Sequence, residues 1–97
     1  MILSFRDRGT EDIYNGLSTA RTRKKCPESL WGVGYRKLDM LNRAADLEDL
    51  RVPPGNALQK LKGERRGQYS IRINERYRIC FLWTDEGPTE VEITDYH

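Results

Sequence analysis

The chain ends in three consecutive side chains that can carry out acid–base chemistry, Asp95, Tyr96 and His97. His97 is the only histidine in the sequence, and imidazole is the side chain whose ordinary pKa lies closest to neutral pH. Chain termini are usually frayed, and a terminal histidine then has no role. Here, however, residues 89–94 alternate polar and apolar side chains, which is typical of a half-buried strand. A paired strand would hold the three terminal side chains close to a sheet.

Basic residues upstream of this terminus could stabilise negative charge. Residues 57–82 carry seven Lys or Arg residues and two acidic ones, whereas residues 83–97 carry five acidic residues and no Lys or Arg. On the predicted strands the basic residues alternate with aromatic rings, which favours polyanion binding over solubility alone. A second basic cluster lies in residues 21–25. The predicted nucleic-acid contacts are Arg21, Arg23, Lys24, Lys25, Lys60, Arg65, Arg66, Tyr69 and Arg72.

Cleavage of a phosphodiester matches these residue types. One group must take a proton from the nucleophile and another must protonate the leaving oxygen, while cations stabilise charge on the phosphoryl oxygens. Lys62, Arg72 and Arg78 can supply the cations. The sequence lacks clustered His, Cys, Asp or Glu at metal-ligand spacing, and a neighbouring RNA 2′-hydroxyl is a nucleophile that requires no metal. We therefore expect a metal-free reaction without a cofactor.

Length and composition predict a single domain over residues 1–97. The chain is 37% hydrophobic and 33% charged, which allows a small core under a highly charged surface. No segment approaches the ~20 apolar residues of a membrane span, and the first apolar stretch is too short for a signal peptide. Cys26 and Cys80 have no zinc or redox spacing, so we expect reduced thiols in a cytosolic protein.

Hydrophobic periodicity predicts the elements that must position these residues. A strand over 2–5 precedes a helix over about 11–16 that Thr10 caps, and residues 17–26 form a basic loop. A longer helix spans about 27–45, and the segment VPPGN at 52–56 ends the helical region. Period-two patterns then predict strands over 57–61, 68–74, 76–83 and 89–94, with turns at Asn74-Glu75 and at 85–88.

The predicted architecture is α+β, with the order β-α-α-β-β-β-β and a small antiparallel sheet covered on one face by two helices. Alternation along the predicted strand 76–83 places Arg78 on the other face of the sheet, which is basic and open. The same alternation puts Asp95 and His97 on the side of Ile93, away from Arg78. Either the last strand ends near Thr94 or a β-bulge re-aims the terminus, and the sequence leaves both alternatives open.

The stretch LKGERRGQYSIRINERYRICFLW, followed by the terminal EITDYH, resembles the HigB branch of the RelE-like toxins of bacterial type II toxin–antitoxin systems. The opening MILSFRDRGTEDIY and the segment LNRAADLEDLRVPPGN extend the resemblance over nearly the whole chain. Members of this family are ribosome-dependent endoribonucleases that cut messenger RNA in the ribosomal A site, and a cognate antitoxin silences them.

The resemblance implies a RelE-like fold, a bacterial cytoplasmic location and several partners. A HigA-like antitoxin would inhibit the protein, and the basic residues above would hold ribosomal RNA and messenger RNA. Operator DNA would be contacted only through the antitoxin, and no membrane is involved. Attack by the 2′-hydroxyl of the message would lead to translation inhibition and growth arrest.

The resemblance also implies roles for individual residues. The family's terminal Asp-Tyr-His falls on Asp95, Tyr96 and His97. His97 would act as general acid or base, Asp95 would orient or tune it, and Tyr96 would position or stack on the substrate. The lysine of Leu-Lys-Gly falls on Lys62 and the arginine that opens the Arg-Ile-x-Phe strand falls on Arg78, and both would face phosphate.

One position departs from the family pattern. Some HigB members carry a second catalytic histidine just before Leu-Lys-Gly, where this chain has Gln59. Glutamine cannot shuttle a proton at neutral pH, so one acid–base role passes to Asp95, Tyr96, a lysine or water, and the activity would be attenuated. Two other functions stay open. One is a non-cleaving module that binds the antitoxin as a co-repressor. The other is a gyrase-directed toxin of the same fold, against which the basic strands argue.

Overall fold

A computed structural model describes residues 1–96, and the predictions for His97 lie outside the described residues. The helices are α1 (Arg8–Tyr14), α2 (Ala20–Lys25) and α3 (Trp31–Arg43), with short 3₁₀ turns at Glu28–Leu30, Leu47–Arg51, Pro54–Asn56 and Gly63–Arg65. The strands are β1 (Gln59–Lys60), β2 (Tyr69–Arg72), β3 (Tyr77–Thr84) and β4 (Gly87–Asp95). The predicted α+β architecture is confirmed. Within the described residues, no helix is long and apolar enough to cross a membrane.

The four strands form one antiparallel sheet in the order β1-β2-β3-β4. Arg78 of β3 lies opposite Arg72 on one side and Thr94 on the other. Directly opposed residues point to the same face of a sheet, so these three side chains share one face. The residues that oppose one another on the other face and are fully buried are Ile71, Ile79 and Ile93.

Helices α1 and α3 cover that second face and complete the core. Gly34 of α3 packs so closely that a Cβ there would lie 3.7 Å from Ile93 and 3.8 Å from Ile13 of α1. Burying an isoleucine side chain such as Ile13 or Ile93 stabilises the fold by about 1.5–3 kcal/mol. The buried aliphatic and aromatic members of the core are Ile13, Leu38, Leu41, Leu50, Ile71, Ile79, Phe81, Val91 and Ile93.

The opening residues, predicted to be a strand, make only an isolated parallel bridge between Phe5 and Val91. The Val91 N–H donates to the Ser4 carbonyl oxygen at 3.1 Å, and the Arg6 N–H donates to the Val91 carbonyl oxygen at 2.9 Å. A β-bulge at Glu90, whose φ is 53°, interrupts the β3–β4 ladder at this point. A single bridge does not make a strand, so the predicted opening strand is not formed. The sheet consists of the four strands β1 to β4.

Helix α1 begins earlier than predicted, and its cap is a different residue. Asp7 caps the helix, since its Oδ1 accepts the backbone N–H of Thr10 at 2.7 Å. Thr10, the predicted cap, lies inside the first turn. Its hydroxyl oxygen accepts the buried backbone N–H of Ile93 at 2.9 Å and thereby ties α1 to β4.

Replacing Thr10 with valine is expected to destabilise the fold by about 1–3 kcal/mol, because the Ile93 N–H would be buried without a partner. Denaturant unfolding measures the change. Thr94→Val is the matched control, since the buried Thr94 hydroxyl has no hydrogen-bond partner among the described residues. The interpretation is wrong if Thr10→Val lowers the free energy of unfolding no more than Thr94→Val does.

Residues 17–26, predicted to be a loop, contain helix α2. Thr19 and Thr22 form a reciprocal cap, in which each hydroxyl oxygen accepts the backbone N–H of the other residue, at 3.2 Å and 2.9 Å. The six-residue stretch ARTRKK is too short and too cationic to show an apolar period. The following helix is also shorter than predicted, since residues 28–30 form a 3₁₀ turn and α3 ends at Arg43.

Candidate active site on the basic face of the sheet

Two hydrogen bonds fix the guanidinium of Arg78. Its Nε donates to Ser70 Oγ at 2.7 Å, and its Nη2 donates to the carbonyl oxygen of Ala57 at 2.6 Å. Burial lowers the pKa of Arg78 from its ordinary value, but an arginine stays protonated in proteins. Because a guanidinium has five N–H donors, these two bonds orient it and leave donors for a phosphate.

Arg65, a predicted RNA contact, forms an ion pair within the protein. Its Nη1 donates to Glu92 at 2.7 Å and to Gln68 at 3.1 Å. The two charged side chains are only 29% and 13% exposed. Burial alone would lower the pKa of Arg65, but the hydrogen bond to Glu92 and the neighbouring charges raise it overall. Since Glu92 offsets its charge, Arg65 attracts a phosphate less strongly than an unpaired arginine in the same place.

The basic face is less open than the sequence predicts. Ser70 and Cys80 point to this face, yet both are 0% exposed, partly because the Arg78 side chain lies over Ser70. Burial raises the pKa of the Cys80 thiol, so it is a poor nucleophile at neutral pH. Contact with Thr94 lowers that pKa, although the contact lacks the geometry of a hydrogen bond. Cys26 and Cys80 are both free thiols, as predicted.

The C-terminal residues are tied to the turn between β2 and β3. The Tyr96 N–H donates to the carbonyl oxygen of Arg76 at 2.7 Å. Arg76 also donates from Nε and Nη2 to the two carboxylate oxygens of Asp95, at 2.9 Å and 2.7 Å. This bidentate pair raises the pKa of Arg76. Residues 95 and 96 are therefore held against the sheet, as the strand pattern predicts.

Strand parity separates Asp95 from Arg78. Asp95 lies opposite Tyr77, whereas Thr94 lies opposite Arg78. For Asp95 neither sequence-based alternative applies, because β4 continues to this residue and the bulge lies upstream, at Glu90. For His97 the alternatives lie outside the described residues. Asp95 and Arg78 therefore point to opposite faces, and the structure does not bring the two side chains together.

Tyr96 lies on the side of the arginines. Alternation along the strand places Tyr96 on the face of Thr94, which lies directly opposite Arg78. Arg65, Thr94, Asp95 and Tyr96 line a shallow cavity of about 310 Å³ at the end of β4. An aromatic ring beside guanidinium groups suits a single-stranded nucleotide, which offers a base to stack and a phosphate to bind.

Gln59 lies next to the Arg78 anchor. It is directly opposite Ser70 in the β1–β2 register, and Ser70 accepts the Nε–H of Arg78. The side chain of Gln59 is exposed, so the position at which the family resemblance implies a histidine adjoins this site. Lys62 is also exposed and lies two residues after the end of β1, before Gly63, whose φ is +66°.

Two predicted RNA contacts lie on the helix-covered face. Tyr69 stacks on Phe81, with ring centroids 6.3 Å apart, and packs against the core. Lys60 is opposite Tyr69 and shares its face.

Two other predicted RNA contacts lie elsewhere. Arg66 is exposed at the end of the turn that follows β1, and Arg72 lies beside Arg78 on the basic face.

The second basic cluster consists of Arg21, Arg23, Lys24 and Lys25 and lies on α2, which packs on α1 on the helical side of the sheet. Arg21 donates to Asp12 at 2.9 Å, and Lys25 pairs with Asp7 at 2.7 Å. Both pairs join α2 to α1. Arg23 and Lys24 are exposed and are the members best placed to meet a separate polyanion.

Sequence reasoning missed three groups that build the site. Ser70 and the Ala57 carbonyl hold Arg78, and Arg76 holds Asp95. The hairpin register could have indicated both contacts, because Ser70 lies two residues from the position opposite Arg78 and Arg76 lies one residue from the position opposite Asp95. No local signal points to Ala57, which lies 21 residues from Arg78 in the sequence.

A solved structure shares this fold. This structure, the YoeB–YefM complex from Staphylococcus aureus, matches 100% of this chain and 95% of its own chain, with a TM-score of 0.59. The two sequences are 20% identical over the match. At that identity the comparison establishes the shared fold alone.

Sequence comparison gives the family. A family model described as the RelE-like toxin of the type II toxin–antitoxin system HigB matches residues 3–97. Toxin HigB-1 of Vibrio cholerae serotype O1 is 38% identical over 85 residues, which cover 88% of this chain and 86% of that protein. An uncharacterized protein of Haemophilus influenzae is 38% identical over 79 residues, which cover 81% and 75%. The chain therefore belongs to the HigB-like family of RelE-like toxins.

Proposed function

We propose that this protein is a ribosome-dependent endoribonuclease that cleaves messenger RNA in the ribosomal A site without a metal ion. The observation that carries the proposal is the guanidinium of Arg78. Two short hydrogen bonds orient it on the face of the sheet that Tyr96 also adjoins. Membership of the HigB-like family of RelE-like toxins supports the same reaction. Loss of translated messages would arrest growth.

The reaction begins when a base removes the proton of a 2′-hydroxyl, whose oxygen then attacks the adjacent phosphorus. The bond to the 5′-oxygen breaks and that oxygen takes up a proton, which leaves a 2′,3′-cyclic phosphate and a 5′-hydroxyl. Arg78 and Lys62 stabilise the charge on the phosphoryl oxygens. His97 serves as general acid or base, and Tyr96 stacks on the substrate.

The role of Asp95 is narrower than the family pattern implies. Its carboxylate is bound by Arg76 and lies on the face opposite Arg78. We therefore assign Asp95 to fixing the end of β4 and orienting His97, with no contact to phosphate. Because Gln59 takes the place of a second histidine, cleavage is attenuated.

The proposed partners are a HigA-like antitoxin, ribosomal RNA and messenger RNA in a bacterial cytoplasm, with operator DNA contacted only through the antitoxin. Membership of a type II toxin–antitoxin family and the structural similarity to the YoeB–YefM complex support the antitoxin as a partner. Exposed arginines and lysines on the sheet and on α2 support the RNA partners.

Primer extension on a cellular message after induction tests the proposal. We expect new 5′ ends inside the coding region, spaced by codons, within minutes of growth arrest. Growth arrest with uncut messages would refute the proposed endoribonuclease.

A second candidate function is a non-cleaving module that binds the antitoxin. Gln59 favours this candidate because glutamine cannot transfer a proton at neutral pH. The Arg76–Asp95 pair also favours it, because Arg76 engages the Asp95 carboxylate and leaves fewer proton-transfer groups near Arg78. Intact messages together with a stable antitoxin complex would support this candidate in the primer extension experiment.

Neutralising the exposed basic residues of α2 is expected to weaken ribosome binding and flatten its salt dependence, by a slope of about 1 per lost phosphate contact. Arg23→Gln with Lys24→Gln is the variant, since Arg21 and Lys25 also hold α2 on α1. Arg43→Gln with Arg51→Gln removes the same charge elsewhere and serves as control. Equal binding loss in both double variants would show that α2 has no specific role.

Gln59→His is expected to raise the single-turnover rate at saturating ribosomes without changing affinity, because a proton-transfer group acts in the transition state. The gain should be modest, since an introduced imidazole lacks supporting contacts. The pH–rate profile should gain a second group that titrates near neutrality. Rates measured across about pH 5.5–8.5 decide the matter, and an unchanged profile would mean that another group already fills the role.

A further inference from the structure

The orientation of Arg78 depends on the backbone carbonyl of a residue that has an unusual backbone conformation. Its Nη2 donates to the Ala57 carbonyl oxygen at 2.6 Å. Ala57 follows the 3₁₀ turn Pro54–Asn56 and has φ 46° and ψ 53°. This left-handed conformation is uncommon for residues other than glycine and persists where surrounding contacts determine it. The contacts that determine it should therefore also determine where Arg78 points.

Asn56 provides these contacts from within the protein. It is 0% exposed, and its Nδ2 donates to the carbonyl oxygens of Leu50 at 3.0 Å and Val52 at 3.4 Å. Its Oδ1 accepts a short hydrogen bond from Lys37 of α3, and its Nδ2 lies 3.7 Å from the sulfur of Met40. The side chain thus joins α3 to the turn that carries Ala57.

The backbone of the same turn is closed by hydrogen bonds. The N–H groups of Asn56 and Ala57 donate to the carbonyl oxygens of Pro53 and Pro54, both at 3.0 Å. A continuous set of contacts therefore runs from α3 through Asn56 and the Ala57 carbonyl to the guanidinium of Arg78. Ser70 accepts the hydrogen bond of the Arg78 Nε, and the Ala57 carbonyl is the second contact that fixes the plane of the guanidinium.

We infer that Asn56 is a positioning residue for the reaction: it fixes the Ala57 carbonyl, and the carbonyl orients Arg78 toward phosphate. This inference rests on the proposed function. Its physical basis is that a charge donor stabilises a transition state only when it is held in place beforehand. Asn56 itself touches no substrate.

The experiment compares Asn56→Ala, Ala57→Val and Ala57→Gly. Ala57 is exposed, so neither change at this position alters the core. Valine disfavours the left-handed conformation, whereas glycine accepts it. At saturating ribosomes we expect Asn56→Ala and Ala57→Val to lower the cleavage rate by about 10- to 100-fold with unchanged affinity. Ala57→Gly keeps the carbonyl and accepts the left-handed conformation, so it should lose less of the cleavage rate than Ala57→Val.

A coupling test separates positioning from general loss of structure. In an Arg78→Ala background, Ala57→Val should cause no further loss of rate, because its effect passes through the missing side chain. An additional loss equal to that in the wild-type background would overturn the inference. If Asn56→Ala does not fold, the pair of variants at Ala57 and this coupling decide the question.

Order of the Arg78 side chain in the free protein tests the inference without any activity. Heteronuclear ¹⁵N relaxation of the Arg78 Nε–H should report a rigid group in wild type and Ala57→Gly and a mobile one in Asn56→Ala and Ala57→Val. Equal rigidity in all folded variants would overturn the inference even if the wild type cleaves. A wild type that cuts no message would instead refute the proposed function, while the relaxation data would still decide the anchoring of Arg78.

Discussion

Deleting His97 is expected to abolish growth arrest and to lower single-turnover cleavage by about 10²–10⁴-fold, the range for losing a general acid or base. His97 is the only imidazole in the chain, and it directly follows residues held by Arg76. Cleavage of message on purified ribosomes measures the rate, and colony growth after induction measures the arrest.

His97→Gln is the matched variant for this deletion, because glutamine keeps the length and hydrogen-bonding ability of the side chain but cannot transfer a proton at neutral pH. It should be as inactive as the deletion. Thermal unfolding and antitoxin binding should match the wild type in both. Unchanged toxicity in the deletion variant would show that the acid–base chemistry resides elsewhere.

Arg78→Ala is expected to slow cleavage at saturating ribosomes by about 10²-fold or more, as for the loss of one preorganised charge donor. The fold should persist, because Arg78 is only partly buried and water can replace its bonds to Ser70 and Ala57. Single-turnover kinetics with the variant bound to ribosomes isolates the chemical step from binding.

Arg72→Ala is the control for Arg78→Ala, since Arg72 lies directly opposite on the same face. It should mainly weaken binding and reduce its salt dependence, with a smaller effect on the bound rate. If Arg72→Ala slows the chemical step while Arg78→Ala changes only affinity, the two roles are reversed.

The sheet could be predicted because burial leaves a clear record in its strands. Ile79 and Phe81 alternate with Arg78 and Cys80, and the structure places the two pairs on opposite faces. Helix α2 could not be predicted, because polar side-chain caps and ion pairs to α1 form it without an apolar stripe. The opening strand was overpredicted, since apolar residues do not reveal how many backbone bonds a segment makes.

The candidate site was only partly accessible from the sequence. Composition and strand alternation led to Arg78 as a cation on the basic face, and the single histidine of the sequence led to His97 as an acid–base group. The role of Tyr96 came from the family resemblance. The separation of Asp95 from Arg78 followed correctly from parity, against the expectation that the terminal residues converge. The contact with Ala57 depends on a left-handed residue and a buried asparagine, and neither leaves a pattern in the local sequence.

Ribosome-dependent cleavage of messenger RNA can be measured by incubating purified protein with one end-labelled message, with and without ribosomes stalled at a defined codon. We predict a single cut in the A-site codon, only in the presence of ribosomes, with a 2′,3′-cyclic phosphate on the upstream product. Full-length message in both reactions, or equal cutting of naked message, would contradict the account.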